Sequence, residues 1–234
     1  MELIECFGQL GFSRQEASLY LLLCREGLLT GYEAAKLSGI TRSNVYLALA
    51  GLEEKGGAYR SEGEAVRYGA VPIGELVANL RRALEASLAY IEGNVPEQKK
   101  EAEPFYTISG RYHVVDKMKN MILQAGERLY ISVDQGHWDQ VEEEIKKAVA
   151  KGRKTVIVTD FPLTLAGATI YQHHKDPGQI RLIVDSSEVL TGEIGRDATA
   201  NCLYSKNKNL VQLIKDSLTN EIKLIGMDQK SLEN

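Results

Sequence analysis

Residues 30–56 read TGYEAAKLSGITRSNVYLALAGLEEKG, and the fold of the first part of the chain follows from them. Thr30 with Glu33 three residues on has the form of a capping box, in which each side chain satisfies an amide that a helix start leaves unpaired. Gly39 is placed to stop that helix. After Ile40, Thr41 is placed to cap a further helix through RSNVYLALAGLEEKGG, whose Val45, Leu49 and Leu52 recur on one face. Two helices joined by a tight glycine-containing turn predict a helix-turn-helix.

The flanks agree. Upstream, Ser13 and Glu16 form a second capping box before RQEASLYLLLCREG, where Ala17, Tyr20, Leu21 and Cys24 repeat at helical spacing and Gly27 ends the run. Downstream, AYRSEGEAVRYGAVP holds two short Tyr- and Val-containing runs around Ser61–Glu64, with Gly63 available for the positive φ of a hairpin turn. A hairpin directly after a candidate recognition helix is a wing. Pro72 suits the first position of the next helix, IGELVANLRRALEASLAYIE. Its Ile73, Val77, Leu80, Leu84 and Ile91 lie close to a 3-4 seam, which a symmetry mate would bury.

Composition sets the outer bounds. The 234 residues, 25.9 kDa, give room for one or two cored domains, and the 44 % apolar and 26 % charged shares are ordinary. A formal net charge of −4 argues against a ribosomal, histone-like or polybasic membrane-surface protein. Over residues 1–72 seven cationic side chains face nine glutamates, so DNA binding there requires a localised basic face rather than a basic domain. The opening MELIECFGQL has no basic stretch followed by a long apolar run, and no segment reaches the roughly 18 apolar residues of a membrane span. A cytoplasmic protein is expected. Cys6, Cys24 and Cys202 are odd in number and lack metal-ligand spacing, so they read as small apolar residues, and no metal or cofactor is expected.

The character of the chain changes at EGNVPEQKKEAEP, residues 92–104, which has the composition of a linker. Beyond it, FYTIS, RLYISVD and KTVIVTD alternate with the helical runs RYHVVDKMKNMILQA and HWDQVEEEIKKAVAK, a pattern that predicts a parallel sheet covered on both faces. IRLIVD and EVLTGE around Ser186 and Ser187 suggest a hairpin, then follow ANCLYS and a last helix, NKNLVQLIKDSL. The expected organisation is a winged helix-turn-helix at 1–72, a dimerising helix and linker at 73–103, and an α/β domain at 104–234.

In winged-helix geometry the front of the recognition helix enters the major groove, which nominates Arg42, Ser43, Asn44 and Tyr46. Arg42 suits guanine or phosphate, Asn44 suits adenine, and Ser43 and Thr41 suit phosphate oxygens. Arg60, Arg67 and Tyr68 are the wing candidates. Tyr46 serves equally well as a packing residue.

FGQLGFSRQEASLYLLL, GYEAAKLSGITRSNVYLALAGLEEKG and RYGAVP together resemble the winged helix of the TrmB family of transcriptional regulators over residues 3–92. The sequence departs from that pattern at Gly56-Gly57-Ala58, where the family has a large apolar pair after the first glycine. The run PGQIRLIVDSSEVLTGEIG, residues 177–195, is similar to the second half of the phospholipase D signature, as in the degenerate phospholipase-D-like domain that accompanies this winged helix. With Asp185 laid on the Asp of that His-x-Lys-x4-Asp motif, its His falls on Gly178 and its Lys on Ile180. The His173-His174-Lys175 run offers another His-x-Lys, but Ile180 stands where its Asp is required.

The resemblance implies a dimeric, non-catalytic regulator of double-stranded DNA that reads a pseudo-palindromic operator and answers to a small effector, a sugar in many members. Longer members carry a further β-rich sugar domain, for which the residues up to Asn234 leave no room. Ligands of open α/β sheets bind at the carboxyl ends of strands, where Asp134, Asp160 and Asp185 are expected, with His173 and His174 in the following loop. There they suit a polyol or a cation, although Asp134 and Asp160 equally suit helix caps or turns. Trp138 is a stacking surface or a packing anchor. The rival reading is a phosphodiesterase or phospholipase-like enzyme localised by the winged helix. A third treats the winged helix as a protein-binding module, which the polar Arg42-Ser43-Asn44 disfavours.

Overall fold

The computed structural model describes residues 2–96, 104–195 and 200–232. Most of the expected linker, residues 97–103, lies outside the described residues. The chain forms two compact units, residues 1–98 and 99–234.

Both capping boxes form. Glu16 N donates to Ser13 Oγ at 3.2 Å while Ser13 N donates to the Glu16 carboxylate at 2.6 Å, and Thr30 and Glu33 repeat the exchange at 3.2 and 2.8 Å. They open α2 (Arg14–Glu26) and α3 (Gly31–Ser38), which follow the short α1 (Leu3–Gln9). Gly39 ends α3 in the left-handed conformation, at φ 71°. In α4 (Arg42–Glu54) the side chain of Thr41 makes no cap bond and lies instead 3.4 Å from Ser43 Oγ. Val45, Leu49 and Leu52 are buried, as their spacing predicts. The inward face of α2 differs from the expected one. It is Glu16, Ala17, Leu19, Tyr20 and Leu23 that are buried, with Leu21 half-buried and Cys24 exposed.

β2 (Ala58–Ser61) and β3 (Arg67–Ala70) pair antiparallel as the wing, and β1 (Leu29–Thr30) adds a third strand on the far side of β3. Gly63 does not take the positive φ expected of it. At the departure from the family pattern, Gly56 has φ 69° and the Gly57 amide donates to Leu52 O at 2.6 Å. A Cβ on Gly57 would come within 2.9 Å of Leu52, so the chain enters the wing close against α4. Tyr20 spans this core and donates its hydroxyl to Val71 O at 2.9 Å. Burial raises its pKa to about 12, so it stays a neutral donor. The unit ends in α5 (Ile73–Asn94), a helix of 22 residues.

The second unit runs β4 (Phe105–Ser109), α6 (Arg111–Gln124), β5 (Arg128–Ser132), α7 (Gln135–Trp138), α8 (Glu142–Ala150), β6 (Lys154–Thr159), β7 (Ala168–Gln172), β8 (Gln179–Val184), β9 (Glu188–Ile194), β10 (Ala200–Ser205) and α9 (Lys208–Leu232). The strands form one sheet in the order β4-β10-β9-β8-β5-β6-β7. Only β5, β6 and β7 are parallel, and the other pairings are antiparallel, which corrects the expected parallel sheet. Successive residues of a strand face opposite sides. Leu182 and Leu190 thus join α6 and α8 in the main core, while Ile183 and Val189 pack against Val211 and Leu218 of α9. Trp138 is an anchor of that core, edge-on to Phe161 at 6.0 Å between ring centres.

Candidate nucleic-acid interface and effector cavities

The start of α4 presents Arg42, Ser43 and Asn44 to solvent. The Arg42 guanidinium lies 4.5 Å from the centre of the Tyr32 ring, on the second residue of α3. Stacking of this kind holds a guanidinium's plane while leaving its N–H edges free for an acceptor. Tyr46, half exposed, lies one turn further on with its ring over Gly31, which a Cβ at that position would overlap. Tyr32, Arg42 and Tyr46, the last seated on the buried Gly31, therefore lie where the first turn of α3 meets the first two turns of α4. The sequence reading missed Tyr32, whose only signal was an aromatic residue beside a capped helix start.

The wing candidates divide. Arg60 is exposed and pairs loosely with Glu62 at 3.4 Å, an ion pair that a phosphate can replace. Arg67 is tied to the base of the wing, 3.5 Å from the Glu33 carboxylate and 3.4 Å from Leu28 O, although its side chain remains partly open. Glu33 titrates below the usual glutamate range, held there first by the Thr30 amide, then by the Thr30 hydroxyl, with Arg67 adding to both. Tyr68 is a correction. It is 8 % exposed and belongs to the core, because β3 turns alternate residues inward and Tyr68 falls on the inner face.

In the second unit the expected effector residues fall in three places. Asp134 and Asp160, at the ends of β5 and β6, line a cavity of about 610 Å³ with His137, Arg111 and Glu193. Asp134 is buried and fully engaged. Its carboxylate accepts from Gly178 N at 2.6 Å and His137 N at 3.0 Å, and lies 2.6 Å from His137 Nδ1. Burial alone would raise its pKa, but the Gly178 amide and His137 outweigh that and keep it below the ordinary aspartate value. The cap expected of Asp134 is real, and it also orients His137 by its Nδ1. The 134/137 spacing was the available sign of that pairing. Asp160 accepts from Gln135 N at 2.9 Å.

His173 and His174 line a different cavity, against α9, of about 530 Å³. Asp185 is at neither, because β8 runs antiparallel to β5 and its carboxyl end lies at the opposite edge of the sheet. There its two oxygens accept from Gly126, Glu127 and Arg128 amides at 2.7, 2.7 and 2.8 Å. Burial pushes its pKa up, and those amides bring it down below its ordinary value. Of the positions laid on a His-x-Lys pair, Gly178 donates its amide to Asp134 and Ile180 is sealed in the core.

Comparison with known proteins finds the following similarities. Residues 7–74 match the family model described as sugar-specific transcriptional regulator TrmB. Over 99 % of its length the chain is 26 % identical to YrhO of Bacillus subtilis strain 168, itself uncharacterized, and covers 88 % of it. Among solved structures it is similar to TrmBL2, an archaeal chromatin protein whose structure shows a novel mode of DNA binding, at 20 % identity and a TM-score of 0.49, over 94 % of this chain and 97 % of that one. It is also similar to NucT from Helicobacter pylori at 12 % identity and a TM-score of 0.44, over 52 % of this chain and 97 % of that one. The region that matches the family model, residues 7–74, spans the helix-turn-helix and the wing of the first unit.

Proposed function

We propose that this protein is a sequence-specific DNA-binding transcriptional regulator that acts as a homodimer and answers to a small molecule bound by its second unit. The observation that carries the reading is the start of α4. Arg42, Ser43 and Asn44 are exposed at the point that enters the major groove in this geometry, and Arg42 is oriented by Tyr32. In DNA, Arg42 would meet guanine or phosphate and Asn44 adenine, with Arg60 on a backbone phosphate. Thr41, Ser43 and Tyr46 border the same surface, and Arg67 holds the wing to α3.

Dimerisation is assigned to α5. Its Ile73, Val77, Leu84, Leu88 and Ile91 are 44 to 57 % exposed, at the 3-4 spacing that a second copy of the helix would cover. A two-fold pair presents two recognition helices about one helical turn apart, which fits a pseudo-palindromic operator. The effector reading rests on the cavity of Asp134, His137 and Asp160, whose mixed donors and acceptors suit a polyol such as a sugar. No described helix is long and apolar enough to cross a membrane, and a cytoplasmic site of action follows from the proposed role.

The catalytic alternative has little to stand on. Gly178 and Ile180 carry no nucleophile or phosphate-binding cation, and Asp185 serves three backbone amides at the far edge of the sheet. The test is capture of genomic fragments by the purified protein, followed by titration of a recovered site with wild type and R42A. Loss of affinity in R42A supports the reading, and equal affinity removes it.

A further inference from the structure

The cavity beside α9 contains a group that the regulator reading leaves unused. Lys175 is 95 % buried by residue, with only 5 % of its surface exposed. Its ammonium hydrogen-bonds Ser132 Oγ, itself fully buried on β5, and this is the whole of its hydrogen bonding among the described residues. An ammonium has three donors and a full charge, and burying both without a carboxylate partner is unfavourable.

The neighbouring carboxylates do not supply that partner. Asp134 is taken by Gly178 and His137, and Asp160 by Gln135. Glu221 of α9 is within electrostatic reach, but it is paired with Arg181 at 2.7 Å. Glu221, Asp134 and Asp160 thus act on Lys175 at a distance and none is hydrogen-bonded to it, which leaves its other ammonium donors unmet among the described residues, beside Arg181, at the wall of an open cavity of about 530 Å³. The remaining walls bring in two histidines and the amide of Asn220, with Asp176 the other acid at the rim.

We infer that this cavity is a binding site for a small oxyanion, the carboxylate or phosphate group of a metabolite, with Lys175 as its buried counter-charge. The bound anion accepts from the free Lys175 donors, and Asn220 and the histidines complete a donor-rich rim. Without an anion, desolvation lowers the Lys175 pKa, so filling the site also settles the lysine in its charged form. This site is separate from the cavity of Asp134 and Asp160, and the inference does not depend on DNA binding.

The test is thermal unfolding of the full chain at fixed ionic strength in sodium chloride, sodium acetate and sodium phosphate, with isothermal titration of whichever anion acts. Wild type should melt higher in acetate or phosphate than in chloride, and the effective salt distinguishes a carboxylate from a phosphate site. K175M, which removes the buried charge at similar volume, should weaken anion binding about tenfold or more while melting no lower than wild type in chloride. Should K175M fail to fold, N220D serves in its place, since it puts a carboxylate at an exposed position on the rim and should abolish the anion increment. No increment in wild type for either anion, or an increment that survives the substitution, overturns the inference.

Discussion

Arg42 and Tyr32 belong to different helices, and the guanidinium of the first sits 4.5 Å from the ring centre of the second. The pairing couples the position of the cation that opens α4 to the helix before it. Y32A should therefore weaken DNA binding by about 0.5–1 kcal/mol, two- to fivefold, through loss of the stack. R42A should cost about 1–3 kcal/mol if Arg42 reads a base. Tyr32 is exposed, so the melting temperature of Y32A should stay near that of wild type, which fluorescence anisotropy and thermal unfolding together check.

Gly31 lies under the Tyr46 ring, and a Cβ there would overlap it. G31A should destabilise the winged unit by about 1–3 kcal/mol or displace Tyr46, as overpacking does. G31A/Y46A should recover most of the loss. A double-mutant cycle read by chemical denaturation separates this coupling from a simple helix effect.

Glu16 links three parts of the winged unit. Its carboxylate accepts from Ser13 N, and from Lys55 Nζ at 2.6 Å, while Lys55 also donates to Gly11 O at 2.8 Å. Burial raises the Glu16 pKa, but Lys55 and Ser13 outweigh it, so the folded value lies below the ordinary 4.5. A group depressed on folding stabilises above its unfolded pKa and loses that contribution as pH falls through the folded one. Stability of wild type should thus drop as pH falls below about 4.5, and E16Q should be less stable at pH 7 with a shallower acid dependence.

Asp185 and Ser186 turn the β8–β9 hairpin at φ 50° and 52°, an unfavourable region for residues with a Cβ. The three amides held by the Asp185 carboxylate offset that cost. D185A should lose about 2–4 kcal/mol, because it keeps the strain and abandons the amides. D185N, which tolerates the left-handed region, should lose less, and denaturant midpoints rank the two.

The exposed seam of α5 supplies a prediction on assembly. L84E/L88E places charges where a second copy would bury leucines half exposed in one chain. The double variant should elute as a monomer in light scattering and keep a wild-type circular dichroism spectrum.

How much of this was legible follows the range of the interactions. Ser13 with Glu16 and Thr30 with Glu33 are local patterns, and both boxes form as written because nothing distant competes for those amides. Strand direction is not local. IRLIVD reads the same whether it pairs parallel or antiparallel, and its antiparallel pairing with β5 sends Asp185 to the wrong edge for a ligand. ATIYQ, residues 168–172, escaped notice as a strand because β7 sits at the sheet edge, where burial is partial and a short run carries little pattern. Tyr68 is a wing residue on either reading of the hairpin, and the inner face takes it, a one-residue ambiguity that only register decides. The Asp134–His137 pair shows in the sequence only as a three-residue spacing, and Lys175 gains its meaning from Ser132, 43 residues away, a contact that no local pattern carries.

The central claim is that the start of α4 reads DNA in a two-fold assembly, and a footprint of a recovered genomic site tests it most directly. Wild type should protect two inverted half-sites about one helical turn apart, and R42A should lose the protection at matched concentration and salt. Protection by R42A equal to that of wild type would contradict the account.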